Sequence, residues 1–209
     1  MEKNEVKREI VEYSKRLYSA GMVSVFEGNV SAKMGDMFII TPTQTDKSIL
    51  TEDMLVEIDF SGNILNPECG KRPSSEWKMH AEAYRVREDV KAIIHCHSPY
   101  ATAYAMAGKP IVPKALTEGI AIFKEVPLAP YGRPGTKDIS ASFQKLLKDY
   151  DALLLEAHGV IVVSRNMTDA YAKTEGLEKL AHMEFITSLL GGEKALPDSE
   201  ISYLKALFN

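Results

Sequence analysis

The sequence predicts a mixed α/β fold forming one domain over residues 1–209, on three observations. Helix-spaced apolar stripes occur near both ends, and short apolar or alternating runs bounded by Gly, Pro, Asn and Asp lie between them. No internal repeat, low-complexity tract or linker separates a second core. A chain of 209 residues with 45% hydrophobic and 26% charged content can bury a substantial core.

Val6, Ile10, Tyr13 and Leu17 share one helical face and Gly21 follows as a stop, so the spacing predicts an opening helix over 3–20. NVSAK and MFIIT flank the turn residues Gly35 and Asp36 and read as a hairpin; MLVEIDF and NIL flank Ser61 and Gly62 and read as a second. From Ser74 the pattern becomes helical, with Trp77, Ala81 and Tyr84 on one face and Ser74 or Ser75 available as a cap. VKAIIHCH reads as a buried strand, and Ser98 and Pro99 suit the start of a helix that Gly108 ends. Residues 109–134, rich in Pro, are expected to alternate short strands with turns. TKDISASFQKLLKDY is helical by spacing, DALLLEAHGVIVVS gives two strands broken at His158 and Gly159, and Thr168 opens a long helix that Gly191 and Gly192 stop.

Composition narrows the function classes. A net charge of -4, with Lys and Arg scattered, leaves no electrostatic footprint for nucleic acid and favours a small-molecule partner. The charged, amphipathic opening is not a signal peptide, and no apolar run approaches the roughly 18 residues of a membrane span. A cytoplasmic protein without membrane contact is expected. The two cysteines, Cys69 and Cys96, are expected to be reduced thiols.

On a strand, residues two apart share a face, so His95 and His97 project together and Cys96 points away. Such a pair can share a metal ion or simply occupy a polar sheet surface. His158, at a Gly-assisted break between apolar strands, can face a cleft as a third ligand or serve as a hydrogen-bonded loop residue. Three imidazoles with an open fourth position would make a catalytic zinc site. Glu76, behind Ser74 and Ser75 at a helix start, fits either ordinary capping or a site where exposed N–H groups hold an anion. GNVS, at 28–31, adds a Gly-permitted turn where backbone can approach a ligand. His80, one turn after Glu76, reads as a packing or hydrogen-bonding residue, and Cys96 as a small buried hydrophobe.

Five motifs in order, GNVS at 28–31, TPT at 41–43, PSSE at 73–76, HCH at 95–97 and HG at 158–159, resemble the class II, zinc-dependent sugar aldolases typified by L-fuculose-1-phosphate aldolase. The resemblance implies a three-layer α/β/α domain with a mainly antiparallel central sheet, and a homotetramer with active sites at subunit interfaces. It implies Zn2+ held by His95, His97 and His158, with Glu76 as the catalytic acid/base. It also implies a substrate phosphate held by Asn29, Thr43, Ser74 and Ser75, beside the turn shaped by Gly28. The activity implied is reversible cleavage of a ketose 1-phosphate to dihydroxyacetone phosphate and a small aldehyde such as lactaldehyde. The same family offers dehydration of methylthioribulose 1-phosphate or cleavage of a 5-deoxypentulose 1-phosphate as alternatives. A non-catalytic interaction module with this fold would lack the metal histidines.

The chemistry agrees with those roles. Breaking a carbon–carbon bond beta to a ketone leaves an enediolate whose charge a Lewis acid stabilises, while a tuned carboxylate exchanges the proton at carbon. Phe26 stands where fuculose-type enzymes are expected to carry a small polar residue, and Gln44 where a Gly is expected. The family's interface tyrosine aligns near Leu116, and its C-terminal tyrosine falls past residue 209; Glu118, Tyr131 and Tyr203 are the candidate replacements.

Overall fold

A computed structural model of the chain describes residues 2–207. Its centre is a seven-stranded sheet in the order β3-β2-β1-β4-β7-β6-β5, built from β1 (Asn29–Met34), β2 (Met37–Ile40), β3 (Val56–Asp59), β4 (Ala92–Cys96), β5 (Leu128–Ala129), β6 (Ala152–Leu155) and β7 (Gly159–Ser164). Every neighbouring pair is antiparallel except β5 with β6. The expected mainly antiparallel sheet is therefore present.

Strand alternation sorts side chains onto two faces. Val30, Ala32, Ile94, Cys96, Val160 and Val162 enter one core with α1 (Lys3–Ser19), α3 (Pro99–Met106) and α6 (Met167–Leu189). Phe38, Ile93, Ile161 and Val163 enter the other, beneath α2 (Trp77–Val86) and α5 (Lys137–Leu147). Helices on both faces make the three layers that the resemblance implied. Each fully buried Leu, Ile or Phe contributes about 1.5–3 kcal/mol of transfer free energy, so both faces are strongly specified.

The first hairpin turns at Gly35 and Asp36, with Met34 opposite Met37. The second is shorter than expected, because NIL contributes only an isolated bridge from Ile64 to Ile58. Residues 109–134 also depart from the expectation. They contain a helix, α4 (Thr117–Phe123), between the bridged residues Ile111 and Val126. Its Gly and two Ile are modest helix formers; burial of Gly119, Ile120 and Ala121 supplies what propensity does not. Gly119 is the closest point, since a Cβ there would sit 2.9 Å from Leu180 Cδ1. A final helix, α7 (Asp198–Ala206), follows Gly191 and Gly192 and packs against α4. Ser74 and Ser75 lie in the turn before α2, whose cap position is Glu76. Both cysteines are free, and burial pushes the Cys96 thiol up to about 12. No helix among the described residues is long and apolar enough to cross a membrane.

Candidate metal centre and active site

His95, fully buried near the end of β4, donates from Nδ1 to the Val160 carbonyl across the β4–β7 pair at 2.8 Å. That hydrogen bond leaves Nε2 as the free ring position, and it points into the site. His97 follows just past the strand, and its Nε2 lies 3.1 Å from His95 Nε2. Two glycines make the approach possible. A Cβ on Gly28 would meet the His95 carbonyl at 2.8 Å, and one on Gly159 would meet His97 Cδ2 at 2.6 Å.

The turn between β6 and β7 carries His158. Ala157 takes a φ of +54° and His158 N–H donates to the Leu155 carbonyl at 3.0 Å, so the ring is swung toward β4. The three imidazole centroids stand 4.7, 5.0 and 5.1 Å apart. One ligand atom from each of His95, His97 and His158 lies within 4.8 Å of the others. Glu76 arrives from the opposite layer. Its segment is tied to β2 through Ser74 N–H to the Thr41 carbonyl at 3.1 Å and Thr43 N–H to the Arg72 carbonyl at 3.0 Å. Glu76 Oε2 then lies 3.1 Å from His95 Nε2, and Oε1 lies 3.2 Å from His158 Nε2.

This donor set fits a cation. With His95 Nδ1 committed to Val160, a neutral His95 turns its Nε2 lone pair toward His97 Nε2 and Glu76 Oε2. Glu76 Oε1 is buried, with His158 Nε2 3.2 Å away as an ion-pair partner. Three imidazoles and a carboxylate thus turn ligand atoms into one small volume, an arrangement that a shared proton or a metal ion satisfies.

A family model described as the class II aldolase and adducin N-terminal domain matches residues 8–185. The chain belongs to this family. It is 33% identical over 209 residues to an L-fuculose phosphate aldolase of Escherichia coli O6:H1, covering 100% of this chain and 96% of the relative. A second relative, an L-fuculose phosphate aldolase of Methanocaldococcus jannaschii, is 34% identical over 185 residues, 88% of this chain and 98% of its own. Among solved structures, an L-fuculose 1-phosphate aldolase superposes with a TM-score of 0.89 at 31% identity, covering 98% of this chain and 96% of that one.

In this class II aldolase chain, Gly28, Asn29, Thr43, Ser74, Ser75, Glu76 and His97 all line one cavity of about 160 Å3; His95 and His158 are not in its lining but stand against Glu76. Phe26 and Gln44 share its rim, Phe26 being 66% exposed and Gln44 holding a φ of +49°. Both departures from the family's expected pattern therefore fall on the cavity lining. Glu118, Tyr131 and Tyr203 do not line the cavity; Tyr131 and Tyr203 are exposed. Glu27 was not singled out by the sequence, yet its Oε1 lies 3.7 Å from His97 Nδ1. Hydrogen bonds from Ser24, and secondarily His97, hold its carboxyl below the usual range. Its position next to the GNVS turn was the available signal.

Electrostatics make the site pH-dependent. Burial opposes the charge on Glu76, but His95 and His158 outweigh it and hold the carboxyl far below its ordinary value. Burial likewise opposes charge on His95, but Glu76 outweighs it and raises the imidazole above 6.5. His97 is pushed down to about 4 by burial and by its two histidine neighbours. A raised histidine stabilises the fold below its unfolded value and loses that contribution as pH rises through its folded value; a depressed carboxyl contributes above its unfolded value and loses it on acidification. The Glu76–His95 pair thus supports the metal-free fold most between about 4.5 and 6.5, the ordinary values of the two groups. A divalent ion must displace the His95 proton. The increase in Tm on adding Zn2+, read by scanning fluorimetry, is therefore expected to grow from about pH 6 to about pH 8; a constant or shrinking increase would contradict the pairing.

Proposed function

We propose that this chain is a zinc-dependent class II aldolase. Its reaction is reversible cleavage of a ketose 1-phosphate of the L-fuculose 1-phosphate type to dihydroxyacetone phosphate and a small aldehyde such as lactaldehyde. The observation that carries this reading is the convergence of His95, His97 and His158 beside the Glu76 carboxylate at the wall of a polar cavity. The reading includes a cytoplasmic homotetramer with sites at subunit interfaces.

Three neutral imidazoles and an open position suit Zn2+, which when bound supplies a Lewis acid for charge developing on the enediolate oxygens. In the cleavage direction the C4 hydroxyl gives its proton to water, the C3–C4 electron pair passes to the enediolate, and an equivalent proton, taken up from water by Glu76, is delivered to C3. Glu76 is the group placed for that carbon proton, taking it in the condensation direction and returning it in cleavage. Gly28, Asn29, Thr43, Ser74 and Ser75 form the phosphate wall. Ser74 accepts from Glu76 N–H at 3.3 Å, which orders the turn, while Ser75 is exposed and free to donate.

The decisive test incubates zinc-loaded protein with a panel of ketose 1-phosphates and detects dihydroxyacetone phosphate with a coupled dehydrogenase. Release of that product supports the reading. Loss of water with the carbon chain intact would replace it with a dehydratase, and no reaction across the panel would overturn it. Ser75→Ala is expected to raise the Michaelis constant about 10-fold for the phosphorylated ketose, the value of one hydrogen bond to a charged group. An equal rise for the unphosphorylated sugar would refute the phosphate site.

A further inference from the structure

A line of buried polar groups runs behind Glu76, starting at Asn29 in the cavity wall and continuing through His80, Ser31 and Tyr84, which lie outside the lining. Asn29 Nδ2 donates to Glu76 Oε2 at 2.9 Å, and Asn29 Oδ1 lies 2.5 Å from His80 Nε2. His80 Nδ1 lies 2.6 Å from Ser31 Oγ, which lies 2.7 Å from the Tyr84 hydroxyl. Ser31 and His80 are 0% exposed, Tyr84 1% and Asn29 4%. The pattern is periodic on both elements. Glu76, His80 and Tyr84 fall every fourth residue along one stripe of the α2 segment, and Asn29 and Ser31 share a face of β1.

The hydrogens in this line have one consistent order. An ionised carboxylate only accepts, so the Asn29 amide must turn its NH2 to Glu76 and its carbonyl to His80. A carbonyl only accepts, so His80 Nε2 must carry the hydrogen. Neither ring nitrogen meets a carboxylate in this fully buried position, and burial pushes the ring's pKa down to about 3, so the neutral ring has its other nitrogen bare. Ser31 then donates to Nδ1 and accepts from Tyr84. The opposite tautomer would flip the amide and set its carbonyl against the carboxylate 2.9 Å away, two acceptors face to face in a dry interior.

We propose that His80, Ser31 and Tyr84 are positioning residues: they lock the Asn29 amide and, through it, aim Glu76 Oε2 for proton exchange at substrate carbon. The proposal rests on the proton-transfer role given to Glu76 under Proposed function. It extends that role to three side chains outside the cavity lining.

The test has one readout independent of activity. Long-range 1H–15N NMR of the metal-free protein, with His80 assigned by its loss in His80→Gln, is expected to show the Nε2–H tautomer; an Nδ1–H ring would overturn the wiring. The second readout is deuterium exchange into dihydroxyacetone phosphate by the zinc-loaded protein. His80→Phe removes both ring nitrogens, whereas the Gln amide has a donor and an acceptor at nearly the same span. His80→Phe is expected to lower the exchange kcat about 30-fold with KM changed by less than about 2-fold, and His80→Gln to stay within about 3-fold of wild type. Equal losses in both variants, or a loss carried by KM, would reduce these residues to packing. If His80→Phe does not fold, Ser31→Ala serves, with an expected kcat loss of about 5-fold from one hydrogen bond; an unchanged kcat would sink the proposal. A wild-type protein that binds zinc but exchanges no deuterium would overturn the functional reading, while the NMR tautomer would still decide the wiring.

Discussion

His95→Ala is expected to leave the protein without stoichiometric zinc and with cleavage activity reduced by at least about 10²–10³-fold, the loss that follows removal of a stabiliser of developing negative charge. Among the three histidines His95 has the least chance of replacement. It is fully buried, and the Val160 carbonyl fixes both its orientation and its tautomer. A water in the vacated space would have to satisfy that carbonyl and face the cation at once. His97→Ala is expected to do the same more mildly, because His97 is 25% exposed and water can take its place. Metal content by mass spectrometry of purified protein, alongside the coupled assay, measures both. Full zinc occupancy and undiminished turnover in His95→Ala would remove the metal centre from the site.

Glu76→Gln separates metal binding from proton transfer. The three imidazoles remain, so zinc content is expected to hold. The amide has no basic oxygen, so exchange at carbon is expected to fall about 10²–10⁴-fold, the range for a positioned general acid or base. The Gln carbonyl can still accept from Asn29, which sits 2.9 Å away, so the variant keeps the line behind it intact. Deuterium exchange into dihydroxyacetone phosphate is the direct measurement. Exchange within about 3-fold of wild type, well inside the range expected of general-base loss, would deny Glu76 its role.

The histidine pair was legible from its spacing, since a period of two places His95 and His97 on one face whatever packs above them. Cys96 confirms the alternation by entering the opposite core. The Gly35–Asp36 hairpin and the helix stopped at Gly191 and Gly192 were legible for the same local reason. Helix α4 was not, because its stability comes from burying Ile120 and Ala121 and from Gly119 passing under Leu180. Nor was the role of His80. The four-residue spacing of Glu76, His80 and Tyr84 was visible, but nothing in it said that Asn29 and Ser31 would lie opposite.

By itself, then, the chain determined its periodic elements, its breaks and the motifs that resemble a family of sugar aldolases, because backbone geometry acts over a few residues at a time. Only the tertiary structure decided that β1 inserts between β2 and β4, that α2 covers that face, and that residues 76, 95, 97 and 158 therefore meet. Those pairings are chosen by burial of two cores between segments far apart in sequence, where the gain depends on the whole assembly and no local pattern records it.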